Sequence, residues 1–81
     1  MRIFNFTLER RGVLLATASV DHGNGLITHQ WKVLSGETGL SVFPPQIRAG
    51  SGFLEVLEFG NPADLEAIRS AILAEYKHRT Q

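Results

Sequence analysis

The sequence predicts an α+β fold: an antiparallel β-sheet of about five strands, opening as a meander, with one C-terminal helix packed on it. Three observations lead there. Apolar and polar residues alternate, with frequent turn signals, from Arg2 to Phe59. Beyond Gly60 the apolar residues recur at helical spacing instead. Between the two regimes stands Asn61-Pro62-Ala63-Asp64, a helix start with a capping side chain and a proline at the first helical position.

The first strand runs from about Arg2 to Glu9, with Phe4, Phe6 and Leu8 on one face and Asn5 and Thr7 on the other. The second runs from about Val13 to Asp21, and Leu14, Ala16, Ala18 and Val20 share a face. A three-residue loop, Arg10-Arg11-Gly12, pairs Leu8 with Leu14, Phe6 with Ala16 and Phe4 with Ala18, and Gly12 suits the left-handed position such a loop requires. The third strand, from about Gly25 to Leu34, carries Ile27, His29, Trp31 and Val33 on one face. A two-residue turn at Gly23-Asn24 pairs Val20 with Ile27, Ala18 with His29, Ala16 with Trp31 and Leu14 with Val33. Both turns therefore assign the same face to the interior.

A short fourth strand, Leu40 to Phe43, enters through Gly36-Glu37-Thr38-Gly39 and stops at Pro44-Pro45, which cannot continue a ladder and marks a sheet edge. Gln46 to Gly52 reads as a loop containing Arg48, and Phe53 to Phe59 as the fifth strand. In the helix, Leu65, Ile68, Ile72, Leu73 and Tyr76 form one stripe able to cover the sheet. Lys77, His78 and Arg79 fall in its last turn, where the helix dipole favours cations. Arg69 lies within the stripe, and its stem is expected to pass Leu73 and bring its head to Glu66.

With 81 residues, 43% of them apolar, the chain suits one domain spanning 1–81. A chain of this size buries only about 60–65% of its unfolded surface, which makes self-association a reasonable expectation. It has no cysteine, so disulfides and thiolate chemistry are excluded. No apolar run approaches the roughly 20 residues needed to cross a bilayer, and the N-terminus alternates too early for a signal-peptide core. A cytoplasmic protein without a membrane partner is expected. Eight Lys and Arg balance eight Asp and Glu, so any polyanion binding must come from charge placement rather than from a global field.

No catalytic residue stands out. The serines Ser19, Ser35, Ser41, Ser51 and Ser70 lie in no nucleophile-elbow motif, and Ala49-Gly50-Ser51-Gly52 is no phosphate loop. Glu55 and Glu58 fall on opposite faces of one strand. Asp21, His22 and His29 are the one cluster of ligand types, but the expected register sets His22 and His29 about 13 Å apart, too far for one ion. No metal or cofactor is implied, and no enzyme is expected. Phe4, Phe6 and Trp31 are expected under the helix, leaving Asn5, Thr7, Thr17, Ser19, Thr28, Gln30 and Lys32 as a wettable face without a base-stacking platform. The cations Arg10, Arg11, Lys32, Arg48, Lys77 and Arg79 are scattered, and in a dimer each is doubled into a stripe able to track a phosphate backbone.

Four segments carry a family resemblance. Ala16-Thr17-Ala18-Ser19-Val20 matches an Ala-x-Ala-Ser-apolar strand, and Ile27-Thr28-His29-Gln30-Trp31-Lys32-Val33-Leu34 looks like a strand in which a His precedes a basic residue. Gly36-Glu37-Thr38-Gly39-Leu40-Ser41-Val42, followed by Pro45, resembles a Gly-x-x-Gly-Leu-x-Val turn and strand. Ala71-Ile72-Leu73-Ala74-Glu75-Tyr76 is similar to a helix ending in Glu-Tyr. In this order and spacing they resemble the stage V sporulation protein G (SpoVG) family over nearly the whole chain.

The resemblance implies a small dimeric bacterial regulator that binds DNA or RNA and is linked to septation and sporulation. It places basic residues in the loop after the fourth strand, where Arg48 matches one such position while Ile47 fills its neighbour and Pro44 has no counterpart. Lys32 matches the basic residue of the third strand. With few cations per subunit, binding is expected to be weak and salt-sensitive. Arg48 is expected as the central contact, with Lys32, Arg10, Arg11, Lys77 and Arg79 as auxiliaries. The alternative is a protein-interaction module on the same fold, holding a protein partner by a strand edge or the wettable face.

Overall fold

The computed structural model describes residues 1–81, residue 55 by its backbone alone. Its elements are β1 (Arg2–Arg11), β2 (Leu14–Asp21), β3 (Ile27–Gly36), β4 (Gly39–Phe43), β5 (Gln46–Ala49), β6 (Gly52–Glu55) and α1 (Pro62–Thr80). The α+β class is as the patterning predicts. The strands, however, divide into a four-stranded antiparallel meander, β1-β2-β3-β4, and a separate β5–β6 hairpin. Pro44-Pro45 ends the first ladder, and the chain resumes pairing with itself around Gly50-Ser51, with Gly50 at φ +62°. The expected loop around Arg48 is therefore strand β5. The expected fifth strand survives only as Gly52–Glu55, and Val56 to Phe59 is irregular.

The registers also differ from those expected. The first turn is the two-residue Gly12-Val13, bringing Arg11 opposite Leu14, Leu8 opposite Ala16 and Phe4 opposite Ser19. The second connection is a five-residue loop, His22–Leu26, in which the His22 N–H donates to the Leu26 carbonyl (3.0 Å). The Asp21 and Asn24 side chains accept from the Gly23 and Leu26 amides. Val20 then pairs with Thr28, Ala18 with Trp31 and Ala16 with Val33. The cause is a set of bulges. The ladder shifts between Phe4 and Thr7 and between Leu8 and Arg11 in β1, between Leu14 and Ala16 in β2, and across Thr28 to Trp31 in β3. At three of these four, all but that in β2, stands a non-glycine residue with positive φ: Asn5 (+49°), Arg10 (+53°) and Gln30 (+67°).

One inserted residue reverses the facing of what precedes it. Ile3, Phe6, Trp31 and Val33 face α1, whereas Phe4, Ile27 and His29 turn to the opposite, outer face, contrary to the expected pattern. Thr28, expected on the wettable face, turns inward: its hydroxyl accepts from the Trp31 indole N–H and bonds His22 Nε2, each at 2.8 Å.

The core joins Ala16, Ala18, Val20, Trp31, Val33 and Val42 to Ile68 and Ile72 of α1. Small Ala18 beneath Trp31 makes room for the indole, which is fully buried. The helix begins as predicted, with Asn61 Oδ1 accepting from the Ala63 amide at 3.0 Å. Arg69 reaches Glu66 at 2.9 Å, and its Nε also donates to the Val42 carbonyl (3.1 Å), occupying an acceptor on the free edge of β4.

Candidate nucleic-acid interface

The predicted cations occupy four separate places. Arg48 sits in β5 opposite Phe53, its guanidinium 5.9 Å from that ring, near the outer limit of a cation–π contact. Lys32 lies on the outer face of the sheet between Thr17 of β2 and Phe43 of β4. Arg10 and Arg11 end β1, with Arg10 exposed at its bulge and Arg11 held 3.5 Å from Glu9. Lys77 and Arg79 close α1. Arg79 donates to Glu75 at 2.7 Å and lies 4.9 Å over Phe6, on the helix side of the sheet. Within one chain these residues are not brought together. Two of the six, Arg11 and Arg79, already face a carboxylate.

The outer face differs from its expected composition. Antiparallel pairing places Phe4 with Ser19, Thr7 with Thr17, and Lys32 with Thr17 on this side. His29 bonds Ser19 Oγ through Nδ1 at 2.7 Å, and Phe4 packs edge-on to the imidazole at 6.4 Å. Arg2 lies 4.7 Å over Phe4, with Asp21 at 3.8 Å. An aromatic pair therefore does stand on the open side of the sheet, contrary to the expectation that the rings lie under the helix. Alternation alone missed it. The available signal was Asn5, a residue that tolerates left-handed backbone within an otherwise regular run.

Ser19 and His29 form the serine–histidine contact this face holds, but Ser19 is buried, 5% exposed, and no carboxylate is bonded to the ring. The pair ties β2 to β3. His22 bonds Thr28 on the opposite face, so the two histidines share no site. Among the described residues no group of three His, Cys, Asp or Glu is placed to hold a metal ion. No helix among them is long and apolar enough to cross a membrane.

The β5–β6 hairpin carries several uncovered large apolar side chains. Ile47, Phe53 and Leu54, with Val56 just beyond β6, are 51–64% exposed; Ile47 pairs with Leu54 on one face of the ladder and Arg48 with Phe53 on the other.

Meander, terminal helix and outlying hairpin together define a small α+β protein whose distinctive surfaces are a polar sheet face and a cation-bearing apolar hairpin. No family model matches the sequence. Three curated relatives do, each under the provisional name septation protein SpoVG. That of Clostridium acetobutylicum is 37% identical over 78 residues, covering 95% of this chain and 80% of the relative. Those of Agathobacter rectalis and Lachnoclostridium phytofermentans are 31% and 30% identical over 71 residues, covering 86% of this chain and 82% and 76% of their own length. The chain belongs to the SpoVG family.

Proposed function

We propose that the chain is a septation-type regulator that acts as a homodimer and binds DNA or RNA through phosphate contacts, breaking no bonds. Family membership supports septation as the process, since that is the word the relatives' names carry. The observation that carries the binding reading is the β5–β6 hairpin, where exposed Arg48 stands beside exposed Phe53 on one face and Ile47 pairs with Leu54 on the other. Pairing two such hairpins covers the apolar side chains and doubles the arginine. Lys32 is the principal auxiliary. Arg10 and Lys77 supply peripheral charge, while Arg11 and Arg79 contribute once released from Glu9 and Glu75.

Anisotropy with labelled DNA and RNA at low salt tests the reading. Arg48→Ala weakens binding about tenfold, the equivalent of roughly 1.5 kcal/mol for a charge-assisted contact. Unchanged binding in that variant removes Arg48 from the interface. A second reading, a protein-interaction module, is favoured by the same hairpin's apolar character. It takes over if neither nucleic acid binds at low salt.

A further inference from the structure

The outer face of the sheet holds a polar notch that phosphate contacts leave unused. It is a hollow of about 250 Å³ lined by Asn5, Thr17, Ala18, Ser19, His29 and Gln30. Two of its residues, Asn5 at φ +49° and Gln30 at φ +67°, hold left-handed backbone. They belong to β1 and β3 and flank the Thr17–Ser19 stretch of β2. Glycine meets that geometry without strain, yet both positions carry a primary amide. Strained backbone gathered around one hollow points to the side chains it serves to place.

The chemistry of the hollow is specific. Each amide offers a donor and an acceptor side by side, and His29, with Nδ1 taken by Ser19, keeps Nε2 available. The His29 ring lines the hollow and is braced by Phe4, which meets it edge-on at an interplanar angle of 73°. The lining is uncharged, but Lys32 pairs with Thr17 on the same face, and Arg2 lies over Phe4, held only loosely by Asp21 at 3.8 Å. Neutral donor–acceptor pairs beside an aromatic ring, with cations at the margin, complement a heterocyclic base carried on a phosphate chain. Asn and Gln are the side chains that match the adjacent donor and acceptor of a base edge. Within a duplex the pairing edges are occupied and the bases stacked, whereas a single strand can splay a base onto a sheet.

We propose that this notch seats one unpaired base of a single-stranded nucleic acid, with Lys32 and Arg2 on the adjoining phosphates. The inference rests on the nucleic-acid reading above and adds to it the strand state and the groups that hold the base.

The test compares labelled single-stranded and duplex oligonucleotides of equal length by anisotropy at low salt, with the natural chain and with Asn5→Gly and Gln30→Gly. Glycine suits both backbone positions, so these variants remove an amide without disturbing the fold, and an unchanged or raised melting temperature verifies this. Asn5→Asp, which keeps the tolerance for positive φ and replaces the amide by an acceptor-only carboxylate, serves as a second variant. The single strand is expected to bind at least tenfold more tightly than the duplex. Each variant loses about tenfold on the single strand and nothing on the duplex. Equal affinity for both forms, or variants that keep full single-strand affinity, overturns the notch and leaves the phosphate reading standing. Absence of binding to either form overturns both.

Discussion

Asn5, Arg10 and Gln30 hold a backbone conformation that sterics reserve mainly for glycine, and their consequences reach well beyond three φ angles. Each stands where the ladder takes in an extra residue, and each extra residue decides which side chains meet the helix. Phe4 and His29 owe their exposure to this, and Trp31 owes its burial to the alternation that resumes after Gln30. Trp31 is the largest fully buried side chain, and its indole N–H is satisfied by Thr28 at 2.8 Å. Trp31→Ala empties the centre of the core at a cost of about 3–5 kcal/mol. Against a total stability of roughly 5–15 kcal/mol that is a large share. A thermal melt followed by circular dichroism is expected to show a midpoint lowered by more than about 10 °C. A variant melting within a few degrees of the natural chain contradicts the assignment of Trp31 to the core.

At the scale of elements, the β5–β6 hairpin is the part least explained by the chain in isolation. Its apolar side chains are half or more exposed, and it belongs to neither the meander nor the helix layer. If it is the self-association surface, Leu54→Glu places a charge in the contact and yields a chain that keeps its folded circular-dichroism spectrum, melts lower than the natural chain and scatters light as a 9.0 kDa monomer. The natural chain at micromolar concentration scatters at twice that mass. A natural chain already at 9.0 kDa removes the hairpin from this role. How much of this was legible in sequence follows from the same elements. The helix, its Asn61 cap and Pro62 could be read directly, because local chemistry sets them. The four meander strands could be located, but their registers could not. Alternation gives no warning of a bulge at a residue other than glycine, and a single bulge reverses a face. Pro44-Pro45 correctly signalled an edge, yet it hid that the next residues begin a new ladder. The cations were visible as residues. That Glu75 holds Arg79 follows from their four-residue helical spacing, whereas the notch depends on register and was out of reach.

At the scale of the whole molecule, the charges balance, so function rests on arrangement rather than on a net field. One chain disperses its cations over the hairpin, the outer sheet face and the ends of β1 and α1. In the proposed dimer, two chains would bring two copies each of Arg48 and Lys32 to one assembly. The salt dependence of binding reports directly on how many of these charges meet phosphate, since each phosphate neutralised on a single strand contributes about 0.7 to the slope of log K against log salt. For a labelled single-stranded oligonucleotide titrated across a salt series, the dimer with four such cations engaged is expected to give a slope of about −3. A flat response from low salt upward contradicts a phosphate-gripping assembly.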